Sequence, residues 1–309
     1  KSAGRVQSVA LKLITEREHE IELFNPHEFW TLKVNFKDNN NNLLTSNISQ
    51  LEGMKIEKFS FKNKVDINAA AEKIKKMKFN ISDISSKIVS RNPSGPFTTS
   101  TLQQVSSGRL GLGASRTMQI AQKLYQGIEI EGETVGLITY MRTDGTNISG
   151  EAVSSFRNFI KKTYGNEYLP KDPLNYSGKK AKNAQEAHEA IRPTDIVNSP
   201  DKVKKYLSPD QHKVYDLIWS RALSSQMQSA QFDRNTITIT SDEKNTTLKT
   251  SGSVIKFDGY LKIYKDPKKE DGESILPKMS KGSVNIDSLI DEQHFTQPPP
   301  RYSEASLVK

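Results

Sequence analysis

GLITYMRTDGTN, residues 136–147, begins as a short apolar run and ends among polar and charged side chains. Gly136 through Tyr140 has the composition of a buried strand, and the run stops on Tyr140 directly before Met141, Arg142, Thr143 and Asp144. A tyrosine in such a place is ordinarily a core residue whose hydroxyl finds a partner. Its neighbours change the reading. Side chains two apart on an extended chain share a side, so Tyr140 and Arg142 can face one phosphate. A phenol that attacks a phosphodiester needs a nearby cation to stabilise the developing charge, and an arginine at this spacing supplies one.

Outward from that stretch the chain is helical. TSTLQQVSS, SRTMQIAQKLYQ, EAVSSFRNFIKK behind Ser149, and SPDQHKVYDLIWSRAL with Ser208 as cap and Pro209 at the first helical position all carry helix signals. The first two, joined by GRLGLG, form a helix-turn-helix-like pair. The glycines at 108, 111 and 113 do not make a P-loop, because the preceding strand and the Lys-Ser/Thr ending are missing. NPSGPF at 92–97 punctuates the chain before this region. Upstream, Trp30, Leu32, Val34 and Phe36 alternate with Thr31, Lys33 and Asn35 as in a half-buried strand. Strand-like stretches near 55–61 and 81–90 flank a helical segment near 67–78. At the start, residues 3–23 place Val6, Val9, Ala10, Leu13 and Ile21 on one helical face, with Ser2 as cap and Asn25-Pro26 as stop. After residue 229, NTITITS, NTTLKTSG and VIKFDGYLKIY return to strand alternation. This nesting predicts that the second sheet segment pairs with the first.

The formal net charge of +9 suits a polyanionic partner. The chain has no cysteine, which excludes disulfides, thiolate metal sites and a cysteine nucleophile. No apolar run reaches the roughly 20 residues of a membrane helix, and the N-terminus lacks a signal-peptide core, so a soluble, intracellular protein is expected. The chain starts inside one motif and stops inside a helix start, which reads as a fragment of something longer.

TYMRTD, residues 139–144, resembles the active-site signature of bacterial type IA DNA topoisomerases. Three further segments match in the family's order. QEAHEAIRPTD (185–195) resembles the histidine segment of the topoisomerase I branch, SAGRVQS (2–8) its DNA-contacting helix start, and PPPRYSEASLVK (298–309) the return into the helical domain. The resemblance implies a multidomain α+β fold, a toroidal core with a β-rich arch and a helical, helix-turn-helix-like insert carrying the tyrosine. Its parts would be a base-domain helix at 1–27, arch or gate at 28–93 and 229–297, a catalytic-tyrosine domain at 94–228, and a return to the base at 298–309.

By the same resemblance, Tyr140 attacks a DNA strand and stays joined to its 5′ end, Arg142 and His188 contact the phosphate, and Ser2, Ala3, Gly4, Arg5, Val6 and Gln7 touch DNA. A helix start built from small residues lets backbone N–H groups approach a phosphate, with Arg5 adding charge. HEAIR lacks the second histidine of a zinc-protease motif. Arg192 is expected to pair with a nearby acid in preference to a DNA phosphate, and Lys179, Lys180 and Lys182 to form a solvated run. The implied activity is ATP-independent relaxation of negatively supercoiled DNA through a 5′-phosphotyrosine, in a monomeric, cytoplasmic, nucleoid-associated enzyme without membrane contact. Its partners are single-stranded and negatively supercoiled DNA. The implied cofactor is Mg²⁺, held by an acidic Toprim module outside these residues, which themselves offer no metal site, so the segment alone is expected to be inactive. Gly145 departs from the family's usual serine. A topoisomerase III-type decatenase and a non-catalytic DNA-binding module are the alternatives; Met141 and the HEAIRP form point to the topoisomerase I branch.

Overall fold

The computed structural model describes residues 4–176, 189–265 and 275–307. In chain order its elements are α1 (Arg5–Glu22), β1 (Glu28–Lys37), β2 (Leu43–Leu51), β3 (Met54–Lys55), α2 (Lys64–Lys75), β4 (Phe79–Arg91), α3 (Thr99–Leu110), α4 (Ala114–Gln126), β5 (Ile128–Ile130), β6 (Glu133–Val135), α5 (Gly150–Thr163), α6 (Pro200–Val203), α7 (Pro209–Ser224), β7 (Ala230–Ser241), β8 (Thr247–Phe257), β9 (Gly282–Phe295) and α8 (Glu304–Leu307). Contacts divide the chain into two compact units. One comprises Lys1–Val89, Phe232–Lys256 and Lys268–Arg301; the other comprises Ser90–Gln231, Phe257–Pro267 and Tyr302–Lys309.

The first unit is built on a seven-stranded sheet in the order β1-β9-β4-β7-β8-β2-β3, and β1 also pairs with β2. That extra pairing closes the sheet on itself. Six of the strands thus form a ring, with the short β3 attached to β2, and the pairing of β1 with β2 satisfies N–H and C=O groups that an edge strand would leave open. Strands from before residue 92 pair with strands from after residue 229, as the nesting predicts: β1 runs antiparallel to β9 from Glu28↔Phe295 to Lys37↔Asn285, and β2 pairs with β8 at Asn47↔Lys249. Alternation in β1 sends Leu32, Val34 and Phe36 inward, where Phe79, Ile81, Ile237, Ile239, Leu248 and Val284 meet them. Ile67 and Ile74 of α2 are buried in the same core. Asn63 caps α2 by accepting from the Asp66 N–H at 2.9 Å.

Two local expectations fail here. Of 55–61 only Lys55, the second residue of β3, is strand; beyond it a turn forms, closed by the Glu57 N–H on the Ser60 hydroxyl at 2.8 Å, and Phe61 drops into the core. Helix α1 is capped by Gly4, with no side-chain cap hydrogen bond, and Ser2 lies outside the described residues. Val6, Val9, Leu11, Leu13 and Ile14 of α1 are exposed. Arg17 ties the helix to the Pro300 carbonyl at 2.6 Å, and Glu18 pairs with Arg301 at 2.7 Å.

The second unit packs its helices around α7, which buries Val214, Tyr215, Ile218, Trp219, Ala222 and Leu223 and is apolar on most sides because neighbours cover most of it. Its cap is a capping box of Ser208 and Gln211 with Pro209 in the first turn. Ser149 caps α5 through the Ala152 N–H. Between α3 and α4 the chain turns on Gly111, whose φ of 67° is left-handed. The α4 N-terminus there is taken by the Glu304 carboxylate, which accepts from the Ala114 N–H at 3.0 Å. Residues 260–264, expected as strand, instead follow the short 3₁₀ turn Gly259–Lys262 and its end. Tyr260, Leu261 and Tyr264 are buried there, a helical spacing that overrides the alternation around it.

Candidate active site around Tyr140

The tyrosine segment lies in the second unit, between α4 and α5. It is extended but is not the strand expected from its composition. Among the described residues its only ladder position is an isolated bridge between Ile138 and Pro193, and proline has no N–H with which to extend a ladder. Individual hydrogen bonds on either side of that proline replace it. Thr139 N–H donates to the Arg192 carbonyl at 2.9 Å, Thr194 N–H to the Leu137 carbonyl at 3.1 Å, and the Thr194 hydroxyl to the Gly136 carbonyl at 2.7 Å. The Thr139 hydroxyl donates to the Ala190 carbonyl at 2.7 Å and accepts from the Arg192 N–H at 3.0 Å.

Beyond the tyrosine, α3 continues the clamp. The Thr99 hydroxyl lies 2.8 Å from the Met141 carbonyl and accepts from the Thr143 N–H at 2.8 Å, while Thr99 N–H donates to the Thr143 carbonyl at 2.8 Å. Gly145 is buried, and its N–H donates to the Thr143 hydroxyl at 3.0 Å.

This clamp fixes which side chains point outward. Met141, Thr143 and Gly145 are buried, while Tyr140, Arg142 and Asp144 are exposed. The period of two expected for Tyr140 and Arg142 is therefore present, and both face solvent on one side of the segment. Tyr140 retains 39% of its surface, so it is not the core tyrosine that an isolated apolar run suggests. Tyr215 does have that role, and Tyr176 is half-buried. Their hydroxyls donate to the carbonyls of Ser225 at 2.9 Å and Asn198 at 2.6 Å. Burial pushes the Tyr176 phenol up to about 12 and the Tyr215 phenol higher still, which disfavours the phenolate a nucleophile needs. The Tyr168 hydroxyl, bonded to the Asp258 carboxylate at 2.8 Å, is likewise pushed up to about 12. The Tyr140 ring meets the Tyr125 ring edge to face, at 5.4 Å between centroids.

A family profile described as DNA topoisomerase matches residues 1–309. The chain belongs to the DNA topoisomerase family. It is 47% identical over 313 residues to the DNA topoisomerase 1 of Rickettsia felis, covering 100% of this chain and 40% of the relative. It is 45% identical to the DNA topoisomerase 1 of Zymomonas mobilis, covering all of this chain and 25% of that protein. Among solved structures, full-length topoisomerase I from Thermotoga maritima aligns with a TM-score of 0.77 at 34% identity, covering 100% of this chain and 47% of that one. The chain thus spans less than half the length of these relatives, and the α+β core expected from the motifs is the fold it shares with the Thermotoga topoisomerase.

Of the family residues carried onto this chain, Tyr140 and Arg142 stand together on the clamped segment. His188, Ser2 and Ala3 lie outside the described residues, as do Lys179, Lys180 and Lys182. Gly4 and Arg5 open α1 in the first unit, followed by exposed Val6 and Gln7, and Gly4 has no side chain to cap the first-turn N–H groups. Glu189, directly after His188, accepts from the Ser149 N–H at 2.5 Å and from Arg192 at 2.6 Å. The expected acid partner of Arg192 is therefore Glu189. Burial works to raise the Glu189 carboxyl, but the Arg192 and Ser149 hydrogen bonds outweigh it and hold it below the usual carboxylate range.

Among the described residues, no group of three or more His, Cys, Asp or Glu could hold a metal ion. No described helix is long and apolar enough to cross a membrane. Sequence reasoning missed Thr99 and Thr139, the residues that hold the tyrosine segment in place. Isolated threonines carry no local signal; only knowing which carbonyls lie opposite identifies them.

Proposed function

We propose that this chain is the strand-cleaving and strand-passing core of a bacterial type IA topoisomerase, which relaxes negatively supercoiled DNA without ATP. The observation that carries the reading is the clamped segment, which presents Tyr140 and Arg142 on one exposed side. The Tyr140 oxygen attacks a phosphodiester of single-stranded DNA and forms an O–P bond to the 5′ phosphate. The bond to the 3′ oxygen breaks, and that oxygen leaves as a hydroxyl, taking up a proton equivalent to the one the phenol gives up. Arg142 stabilises charge on the phosphate during this exchange. The reverse attack by the 3′ hydroxyl restores the strand, and because the ester energy is stored in the covalent intermediate no nucleotide is consumed.

His188 positions the phosphate, and Ser2 through Gln7 contact the backbone of the bound strand through the start of α1. The strands at 28–93 and 229–297 serve as the gate, the insert at 94–228 carries the bound 5′ end, and 1–27 and 298–309 belong to the base. Mg²⁺ is held by an acidic Toprim module outside residues 1–309. Backbone contacts and stacking give low sequence specificity. The enzyme acts as a monomer in the cytoplasm, on the nucleoid.

The test is Tyr140→Phe in the protein at its natural length. The variant is expected to bind single-stranded DNA and to form no covalent adduct, whereas wild type forms one on the 5′ end. An adduct with the Phe variant refutes the assignment, and a wild type that binds but never forms one identifies a non-catalytic DNA-binding module.

A further inference from the structure

We propose that Tyr125, at the end of α4, is a positioning residue for the Tyr140 phenol: its ring, meeting Tyr140 edge to face, holds the attacking oxygen in one orientation. The inference rests on reading Tyr140 as the nucleophile. The backbone on both sides of Tyr140 is already fixed, since Thr139 is bonded to Ala190 and Arg192, and Met141 is buried with its carbonyl against Thr99. The ring keeps 39% of its surface open. Its pair of side-chain torsions decides where the oxygen points, and the neighbours packed against the ring choose among them.

Tyr125 is such a neighbour. The centroids are 5.4 Å apart at 65° between planes, the edge-to-face geometry that the aromatic quadrupole favours. Tyr125 is itself well anchored. Leu124 is fully buried, and its carbonyl accepts from the Leu137 N–H at 2.8 Å, which ties the end of α4 to the tyrosine segment. Gly136 reinforces the approach: a Cβ there would lie 2.8 Å from the Tyr125 carbonyl oxygen, so only glycine lets the two segments come this close. The α4 end, Gly136 and the two rings thus form one rigid support within a single unit. Tyr125 is 41% exposed, so the core does not depend on it.

The experiment measures the rate of covalent adduct formation on 3′-labelled single-stranded DNA, for the protein at its natural length and for Tyr125→Ala, Tyr125→Leu and Tyr125→Phe. Losing one aromatic pair slows adduct formation about two- to tenfold at saturating DNA. The half-saturating DNA concentration stays unchanged, the Leu variant behaves like Ala, and the Phe variant restores the wild-type rate. Wild-type speed in the Ala and Leu variants overturns the proposal. So does a loss confined to half-saturation, which would make Tyr125 a DNA contact, and so does a Phe variant as slow as Ala. If wild type itself forms no adduct through Tyr140, the nucleophile reading falls with it; a normal wild type with unaffected Tyr125 variants overturns this inference alone.

Discussion

Thr139→Val is the sharpest probe of how the tyrosine segment is held. Valine keeps the shape of threonine but removes the hydroxyl that donates to the Ala190 carbonyl at 2.7 Å and accepts from the Arg192 N–H at 3.0 Å. Ala190 and Ile191 are fully buried, so water does not readily replace the lost partner at the carbonyl. An orphaned buried group costs about 1–3 kcal/mol. The half-buried Arg192 N–H recovers part of its loss through solvent, so the total is about 2 kcal/mol, a fall in Tm of roughly 4–8 °C for a domain of this size. Thr139→Ser keeps the hydroxyl and is expected to recover most of it. Because the bonds run from residue 139 to the segment after His188, the Val variant is also expected to form covalent adduct more slowly. Thermal unfolding with the adduct assay on the same preparations measures both. A Val variant within about 0.5 kcal/mol of wild type with an unchanged adduct rate refutes the clamp, as does a Ser variant as damaged as Val.

Three further outcomes follow from the same geometry. Gly136→Ala places a Cβ 2.8 Å from the Tyr125 backbone oxygen, and this overpacking is expected to cost about 1–3 kcal/mol in denaturant unfolding and to slow cleavage. The Glu189 carboxyl is held low in the folded state, so its contribution to stability is present above the usual carboxylate value and is lost as pH falls through the lowered one. The gap in Tm between wild type and Glu189→Gln should therefore be widest near neutral pH and close on acidification below about pH 4; a gap that widens instead contradicts the assigned partners. Ser208→Ala removes the α7 cap and is expected to cost about 1 kcal/mol in chemical unfolding, with Ser208→Asn close to wild type.

Features decided within a few residues were readable from sequence. Ser149 and Ser208-Pro209 mark the starts of α5 and α7 because a cap needs only a side-chain oxygen two or three residues before the N–H it accepts from. The alternation at Leu32, Val34 and Phe36 gave the inward face of β1 for the same local reason. Misreadings arose where a distant partner decides. Residues 136–140 look like a strand, yet the chain opposite them carries Pro193, and 260–264 lie within an alternating region but fold into a turn over a buried site.

The order of residues by itself determined that Tyr140 and Arg142 share a side, that the chain re-enters its sheet after the helical insert, and that the motifs match one family in order. Periodicity and short motifs are properties of neighbours along the chain. Only the tertiary structure decided that Tyr140 is exposed while Tyr215 is buried and Tyr176 half-buried, both with hydroxyls bonded to backbone carbonyls, that the sheet closes through the β1–β2 pairing, and that Thr99, Thr139, Arg192 and Tyr125 lie around the tyrosine segment. Exposure and hydrogen-bond partners depend on which residues far away in sequence come to lie opposite, and packing of the whole unit sets that.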